Sequence, residues 1–359
     1  MKTPSFIFLI LIVLGCNACN SRTAQYSDIS DFLTKKNIQF DDHKISILLG
    51  MPMDIMAMND MAIILDGQTD KSFHVLSIED YSHLGSFIRR GRGPGEEVFI
   101  YPAFKKFGYD KILYQSEHDL KLASVIMSDD SLDIVILEKI ELPKHLSAGG
   151  DFTIVNGNIF NSFSFPPASK DYYVLNLKTG KISEWGESPP LTDKNVHRHG
   201  WISDRHSKLT TVSIKQSLVA SVFTILPILR IYSLDKEELI VELIMSDVSN
   251  NVEIMTTGQK LPDGNGLIDY YHSIKSTDDY IYALYSGVSI DDSFKEGEEF
   301  YYFDVANELH IWKWDGTPVM KLLLNRPVFA FDVTPDNKKI IATSVVDVDK
   351  IFEAMIPWN

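Results

Sequence analysis

His310-Ile311-Trp312-Lys313-Trp314-Asp315-Gly316-Thr317-Pro318-Val319-Met320-Lys321-Leu322-Leu323 reads as an alternating apolar strand, a turn and a second apolar strand. Alternation at period two turns one face of each strand toward a core, and Asp-Gly suits the tight turn of a hairpin. The same unit recurs upstream. His74–Ile78 leads to Leu84–Ile88, Ala123–Met127 to Ile134–Leu137, Tyr173–Leu177 to Ile182–Trp185, and Leu229–Leu234 to Leu239–Leu243.

The turn centres lie near residues 80, 129, 179, 235 and 315, so successive gaps are about 49, 50, 56 and 80 residues. The first three match the roughly 40–50 residue period of propeller blades. The last gap holds Tyr280–Tyr285, read as an inner strand of the same blade as the 310–323 hairpin, and an acidic insertion from Asp291 to Glu299. A sixth unit follows: Phe329–Val333 turns at Thr334-Pro335-Asp336-Asn337 into Lys339–Thr343, and Ile351–Trp358 ends the chain. It owns about three strands, so a fourth must come from elsewhere, and the stretch around Ile45–Leu49 is the expected donor. The expectation is an all-β six-bladed β-propeller of four-stranded antiparallel blades, closed by pairing of N- and C-terminal strands, which removes exposed sheet edges. A β-sandwich or two β domains would also contain hairpins; the regular spacing favours the propeller.

The N-terminus carries Lys2, an unbroken apolar run Phe6–Leu14, then Gly15-Cys16. The run is too short to span a bilayer, which takes roughly 18 residues, and has the length of a signal h-region. Val13-Leu14-Gly15-Cys16 resembles the bacterial lipobox. Small Gly15 lets a peptidase reach the bond before Cys16, whose thiol takes a diacylglycerol. Residues 1–15 are thus expected to be a lipoprotein signal peptide, 16–40 a lipidated N-terminus and tether, and 41–359 the propeller. Cleavage elsewhere, for instance after Ala18, is the alternative. Cys16-Asn17-Ala18-Cys19 spells C-x-x-C, but a redox motif normally opens a helix in a folded domain. With Cys16 acylated, Cys19 is the one remaining thiol, so the fold does not depend on disulfides.

Length and charge bound the class. The chain has 359 residues, formal charge −15, 20 Phe, 15 Tyr and 5 Trp. No low-complexity linker divides it, so one domain is expected. The acidic balance argues against nucleic acid and against electrostatic adsorption to anionic lipid.

Arg89-Arg90-Gly91-Arg92-Gly93-Pro94-Gly95-Glu96 follows the first hairpin, and Asp332-Val333-Thr334-Pro335-Asp336-Asn337-Lys338-Lys339-Ile340 stands near the C-terminus. With the lipobox and the hairpin spacing, these resemble the G-x-G-P-G-E and D-x-T-P-D-x-K-x-I stretches of the TolB-like six-bladed β-propeller lipoproteins of Bacteroides-type bacteria. The resemblance covers nearly all of the mature chain, most weakly at 186–210 and 246–300. It implies a fold and an envelope location, and no reaction.

Few residues suggest chemistry. Arg89, Arg90 and Arg92 could line an anion cradle built on the Gly91–Glu96 loop; the competing reading is a tight crossing between blades, stiffened by Pro94. His197, His199 and His206 form the densest histidine cluster, but neighbouring arginines would repel a metal and no cysteine or Glu-x-x-His accompanies them. Asp263-Gly264-Asn265-Gly266 lacks the ligand ladder of a calcium loop. The sequence contains neither H-E-x-x-H nor G-x-S-x-G. No catalytic residue, metal or cofactor is therefore assigned. The expected function is a membrane-anchored, non-catalytic scaffold of the cell envelope, on the outer membrane, binding a protein, peptide or glycan. The alternative is a glycan-active lyase or hydrolase at the channel mouth, which carboxylates or histidines converging on the channel would favour.

Overall fold

The computed structural model describes residues 25–26 and 32–358, apart from 109, 118, 128–131, 145, 147–149, 163–168, 188–206, 246–248, 258–265 and 290–305. Six antiparallel sheets, each a run of four strands a to d, form the blades. Blade 1 comprises Pro52–Met58, Met61–Asp66, Lys71–Ser77 and His83–Arg89. Blade 2 comprises Ile100–Phe107, Lys111–Ser116, Asp119–Met127 and Leu132–Glu141. Blade 3 is Phe152–Val155, Asn158–Asn161, Tyr172–Asn176 and Ile182–Trp185. Blade 4 is Lys208–Ser213, Leu218–Phe223, Ile228–Ser233 and Glu238–Ile244. Blade 5 is Ile268–Ser276, Tyr280–Ser289, Ala306–Lys313 and Pro318–Val328.

Blade 6 takes Ala330–Val333, Lys339–Thr343 and Lys350–Met355 from the C-terminal end and Asp41–Lys44 from the N-terminal end. The innermost strands of neighbouring blades touch one another all the way round, so the ring closes.

The five hairpins seen in the sequence are the outer c and d strands of blades 1 to 5. Their residues alternate in the sequence even where a strand is covered on both faces, as Ile228–Ser233 of blade 4 is at every residue. Strand b of blade 1, Met61–Asp66, is buried at every residue, because blades stack on both of its faces. Such strands carry a continuous apolar run without a period of two.

The closing strand differs from expectation. It is Asp41–Lys44, paired with Lys350–Glu353, rather than Ile45–Leu49. Ile45 and Leu49 instead sink into the core between blades 1 and 6, beside Ile55, Ala330 and Ile351. Their amides donate to the Asp349 and Val348 carbonyls at 3.0 Å each. Apolar residues there serve the blade interface, and the edge strand itself is polar.

Two blades also gain a fifth strand. Gln25–Tyr26 pairs in parallel with Leu243–Ile244 on blade 4, and Lys35–Ile38 pairs in parallel with Lys321–Leu324 on blade 5. Between them Phe32 is buried against the rings of His310 and Trp312, with centroids 5.0 and 5.4 Å away. The segment expected to tether the domain is thus, from Phe32 onward, a strap along the rim of blades 5 and 6. A helix, α1 (Ser249–Thr257), lies between the strands of blades 4 and 5 in the chain. Its buried Asn251 donates to the carbonyls of Ile225 and Ile268, each at 2.7 Å, and accepts from the Ile268 amide at 2.9 Å.

Candidate functional site: the central channel and the blade 1–2 crossing

A cavity of about 340 Å³ lies on the ring axis, and the innermost strands of all six blades line it. The inner strands of blades 1, 2, 3 and 6 are mostly apolar, whereas Lys208–Ser213 and Ile268–Ser276 of blades 4 and 5 are half or more polar. Lys275 of blade 5 reaches Asp54 of blade 1 at 2.7 Å. Lys105 of blade 2 reaches Asp151, at the start of blade 3, at 2.6 Å, and donates to the Thr210 carbonyl of blade 4 at 2.9 Å. Asp151 also accepts the Thr210 amide. Thr211 and Ser276 join blades 4 and 5 through their hydroxyls at 2.6 Å. Asp332 of blade 6 accepts the Ala57 amide of blade 1 at 2.7 Å and the amide of Val333 at 2.8 Å.

The electrostatics follow from burial and pairing. Burial pushes the Asp332 carboxyl up to about 6, although Lys275 pulls the other way. Burial works against the charge on Lys275, but the carboxylates of Asp54 and Asp332 outweigh it and hold the ammonium above the ordinary lysine value. The channel is therefore a polar tube whose charges are matched to one another. Among the described residues no cluster of three or more His, Cys, Asp or Glu could hold a metal. The sequence reading missed these residues. A signal was available: lone charged residues inside otherwise apolar strands, such as Asp54 within Pro52–Met58.

A second buried charge cluster clasps blades 3 and 4. Asp171 receives Arg230 Nη1 at 2.7 Å and the Tyr232 hydroxyl, with Lys208 Nζ 3.7 Å away. Arg230 Nε donates to Glu242 at 2.6 Å. On blade 1 the Ser86 hydroxyl sits 2.7 Å from His74 Nδ1 and 2.8 Å from His83 Nε2. The far nitrogen of His74 meets Thr69, at 2.9 Å, and no carboxylate. Burial depresses the His74 pKa, so this ring is neutral at pH 7. A Ser-His pair without an acid to orient it falls short of a triad.

The Gly91–Glu96 loop carries blade 1 into blade 2. The Gly91 amide donates to the Glu97 carbonyl at 3.0 Å and the Glu97 amide to the Arg89 carbonyl at 2.9 Å. The Gly93 amide donates to Glu96 Oε2 at 2.8 Å, so the loop's own carboxylate occupies the glycine cradle. A β-carbon on Gly91 would overlap that carboxylate. Of the three arginines, Arg89 pairs with Asp70 at 3.3 Å, Arg90 donates to the Asp66 carbonyl at 3.1 Å, and Arg92 is exposed. Glu97 turns inward to Lys121 and Ser116 of blade 2. Cys16, the histidines at 197, 199 and 206, Asp263 and the acidic stretch from Asp291 lie outside the described residues.

Comparison with known proteins agrees with this architecture. A profile of the family described as TolB-like 6-blade propeller-like matches residues 28–336. Among curated proteins, none matches by sequence. The chain is similar in structure to a member of the DUF4221 family from Bacteroides vulgatus, at 11% identity and TM-score 0.58, over 89% of this chain and 98% of that one. It also matches BamB from Moraxella catarrhalis at 12% identity and TM-score 0.35, over 84% of this chain and 71% of that one. A third match is the Pan2 WD40 domain of Neurospora crassa, at 8% identity and TM-score 0.46, over 86% and 90% of the two chains. Likeness at such identity speaks to the fold alone.

Proposed function

Because the chain belongs to the TolB-like family of six-bladed propellers, we propose that it is a non-catalytic scaffold of the cell envelope that binds a protein, peptide or glycan partner. The state of the channel carries this reading. Lys105 and Lys275 each face a carboxylate, and Asp332 is held by two backbone amides. These groups stitch blades together, which leaves recognition to the faces of the ring. The strand order places the b–c and d–a connections on one face. The longest connections, 162–171, 186–207, 245–267 and 290–305, all belong to that set. Long connections that join strand ends on one face of a ring are a common way to build a binding surface.

The anchor belongs to the same proposal. The apolar run Phe6–Leu14 and Gly15-Cys16 support acylation of Cys16 and residence on the outer membrane, where two or more acyl chains hold a protein stably. In cells fed an alkynyl fatty acid, the wild type takes up label and sediments with membranes. Cys16→Ser is expected to lose both properties; retained label would overturn the anchor. For the scaffold, crosslinking in the intact envelope is expected to capture a defined partner that is lost when the 245–267 connection is shortened. Capture unaffected by shortening each long connection in turn would overturn the assignment of that face.

A second reading, a glycan-active hydrolase or lyase, draws on one observation. Asp332 exchanges its proton near pH 6 and lines the channel, as a general acid or base would need. Release of new reducing ends or unsaturated ends from envelope glycan by the wild type, but not by Asp332→Asn, would favour it over the scaffold.

A further inference from the structure

Blades 3 and 4 part toward the periphery and leave a pocket of about 410 Å³. Its floor is one face of blade 3. Pairing sets Phe160 beside Val174 and Val174 beside Ser183, so side chains shrink outward along the row, where blades of a ring diverge and more volume must be filled. Blade 1 shows how such a decline is otherwise filled. Its row runs Ile63, Val75, Gly85, and Leu132 of blade 2 packs against Gly85. Beside Ser183 the far wall is Leu234 and Glu237 of the blade 4 c–d turn, and the space stays open. Small ligands occupy pockets of roughly 300–1,000 Å³. Asn156, Thr179 and Glu237 at the mouth belong to a–b and c–d turns, so the pocket opens on the face opposite the long connections.

The floor is fixed in advance. Asn176 Nδ2 donates to Asn158 Oδ1 at 2.9 Å, and Asn176 Oδ1 accepts from the Thr179 amide and hydroxyl, each at 2.9 Å. Two carboxamides are thus held at one end. At the other end Trp185 packs on Phe160 and Tyr232, with ring centroids 5.1 and 4.8 Å away, and stays partly exposed. Glu184 is already engaged, its carboxylate accepting from the Ser169 amide and hydroxyl. Four groups on the wall have no hydrogen-bond or ion-pair partner among the described residues: the Lys181 ammonium, the Ser183 hydroxyl, the Trp185 indole N–H and the Glu237 carboxylate.

Their chemistry selects a ligand class. One free ammonium and one free carboxylate cancel, which favours a neutral molecule over a phosphate or a carboxylate. The indole and the Phe160 ring offer apolar surface, while the hydroxyl, the amides and the two charges offer both donors and acceptors. A pyranose matches this mixture, with C–H faces that pack on an aromatic ring and hydroxyls that each donate and accept. The free groups lie on the face of the sheet, away from its edge, so backbone pairing with a peptide strand is not what the pocket offers. We propose that the pocket between blades 3 and 4 binds a neutral saccharide, with a pyranose ring against Trp185 and its hydroxyls on Ser183, Lys181 and Glu237. The pocket is separate from the channel and from the connection-rich face, so the inference goes beyond the scaffold reading, and either can fail without the other.

The test is calorimetric titration of the full chain bearing Cys16→Ser with maltotriose, cellotriose, mannotriose, galactotriose, xylotriose and triacetylchitotriose. At least one is expected to bind. Ser183→Phe fills the pocket from an exposed position and is expected to abolish that binding with the melting temperature unchanged or raised, which shows that the variant folds. Trp185→Ala is expected to weaken binding by about tenfold or more, and Lys181→Ala or Glu237→Gln by several-fold each. Shortening the 245–267 connection should leave saccharide binding as it is. No binding by any member of the set, equal binding by Ser183→Phe, or binding of glycine or inorganic phosphate that Ser183→Phe removes would overturn the proposal.

Discussion

Lys275 and Asp54 meet at 2.7 Å across the channel, although blade 6 stands between their blades in the ring. Removing one partner strands a charge in a confined polar site, which costs about 3 kcal/mol or more. Lys275→Met is therefore expected to lower the unfolding free energy by about 3 kcal/mol. Asp54→Asn combined with Lys275→Met should recover part of that loss. Chemical denaturation of the two singles and the double closes the cycle, and purely additive losses would mean the pair does not interact.

Asp332 gives a pH dependence of definite sign. Its folded value, about 6, lies above the ordinary carboxyl value of 3.8. The folded state thus holds the proton more tightly than the unfolded state. The group's contribution is fully present below about pH 4 and fades as pH rises through 6. Asp332→Asn is expected to flatten this fall and to raise the melting temperature at pH 8, by less than the roughly 3 kcal/mol that the raised carboxyl value corresponds to, because its NH2 cannot accept one of the two backbone amides that the carboxylate accepts. A variant with an unchanged pH–stability profile between 4 and 7 would count against the buried, raised carboxyl.

Phe32 fastens the strap to blade 5. Its truncation to alanine removes the ring from between His310 and Trp312. Burying such a ring is worth about 3 kcal/mol, but the strap lies at the rim, so the loss should be local. The expected result is faster amide exchange at Lys35–Ile38 and easier proteolysis upstream of it, with the exchange of blade 1 unchanged. Uniformly faster exchange would place Phe32 in the global core instead.

Glu96 closes the glycine cradle from within. Glu96→Ala should open it, leaving the Gly93 amide without its carboxylate and the arginines nearby. Phosphate is then expected to raise the melting temperature of Glu96→Ala by a few degrees and to leave the wild type unmoved. Adding Arg89→Ala, Arg90→Ala and Arg92→Ala should abolish the response. The same response in the wild type would mean that the carboxylate is no barrier to an anion.

Much of the ring was readable because outer strands obey a simple rule. The c–d hairpins keep their alternation in the sequence, as in Tyr173–Leu177 or Leu229–Leu234, even though Ile228–Ser233 is buried throughout. Inner strands are covered on both faces, and Met61–Asp66 shows no such period. The closing strand, Asp-Asp-His-Lys at 41–44, has nothing apolar to announce it, and the apolar Ile45–Leu49 drew attention to the wrong side of the joint. The fifth strands were hidden for a related reason: pairing through backbone groups leaves little trace in side chains. The channel groups were polar residues scattered over the inner strands: stacking of blades 2 and 3 brings Lys105 to Asp151, and only closure of the ring brings Asp54 to Lys275.

The velcro between the two chain ends also sets an order of events. Asp42 and Lys350 are hydrogen-bonded at 3.1 Å yet stand 308 positions apart in the sequence. Nothing made before Lys350–Met355 can complete blade 6, because that strand follows all five other blades along the chain. Until then Asp41–Lys44 has no strand to pair with, and Lys339–Thr343 keeps an open edge. Contacts this distant slow folding, since a very long loop must close before they form. A chain synthesised only as far as blade 5 is an open stack of sheets, a state prone to aggregation. Ring closure is thus a timing device: the molecule becomes resistant to aggregation and to proteases only when its final strand has arrived.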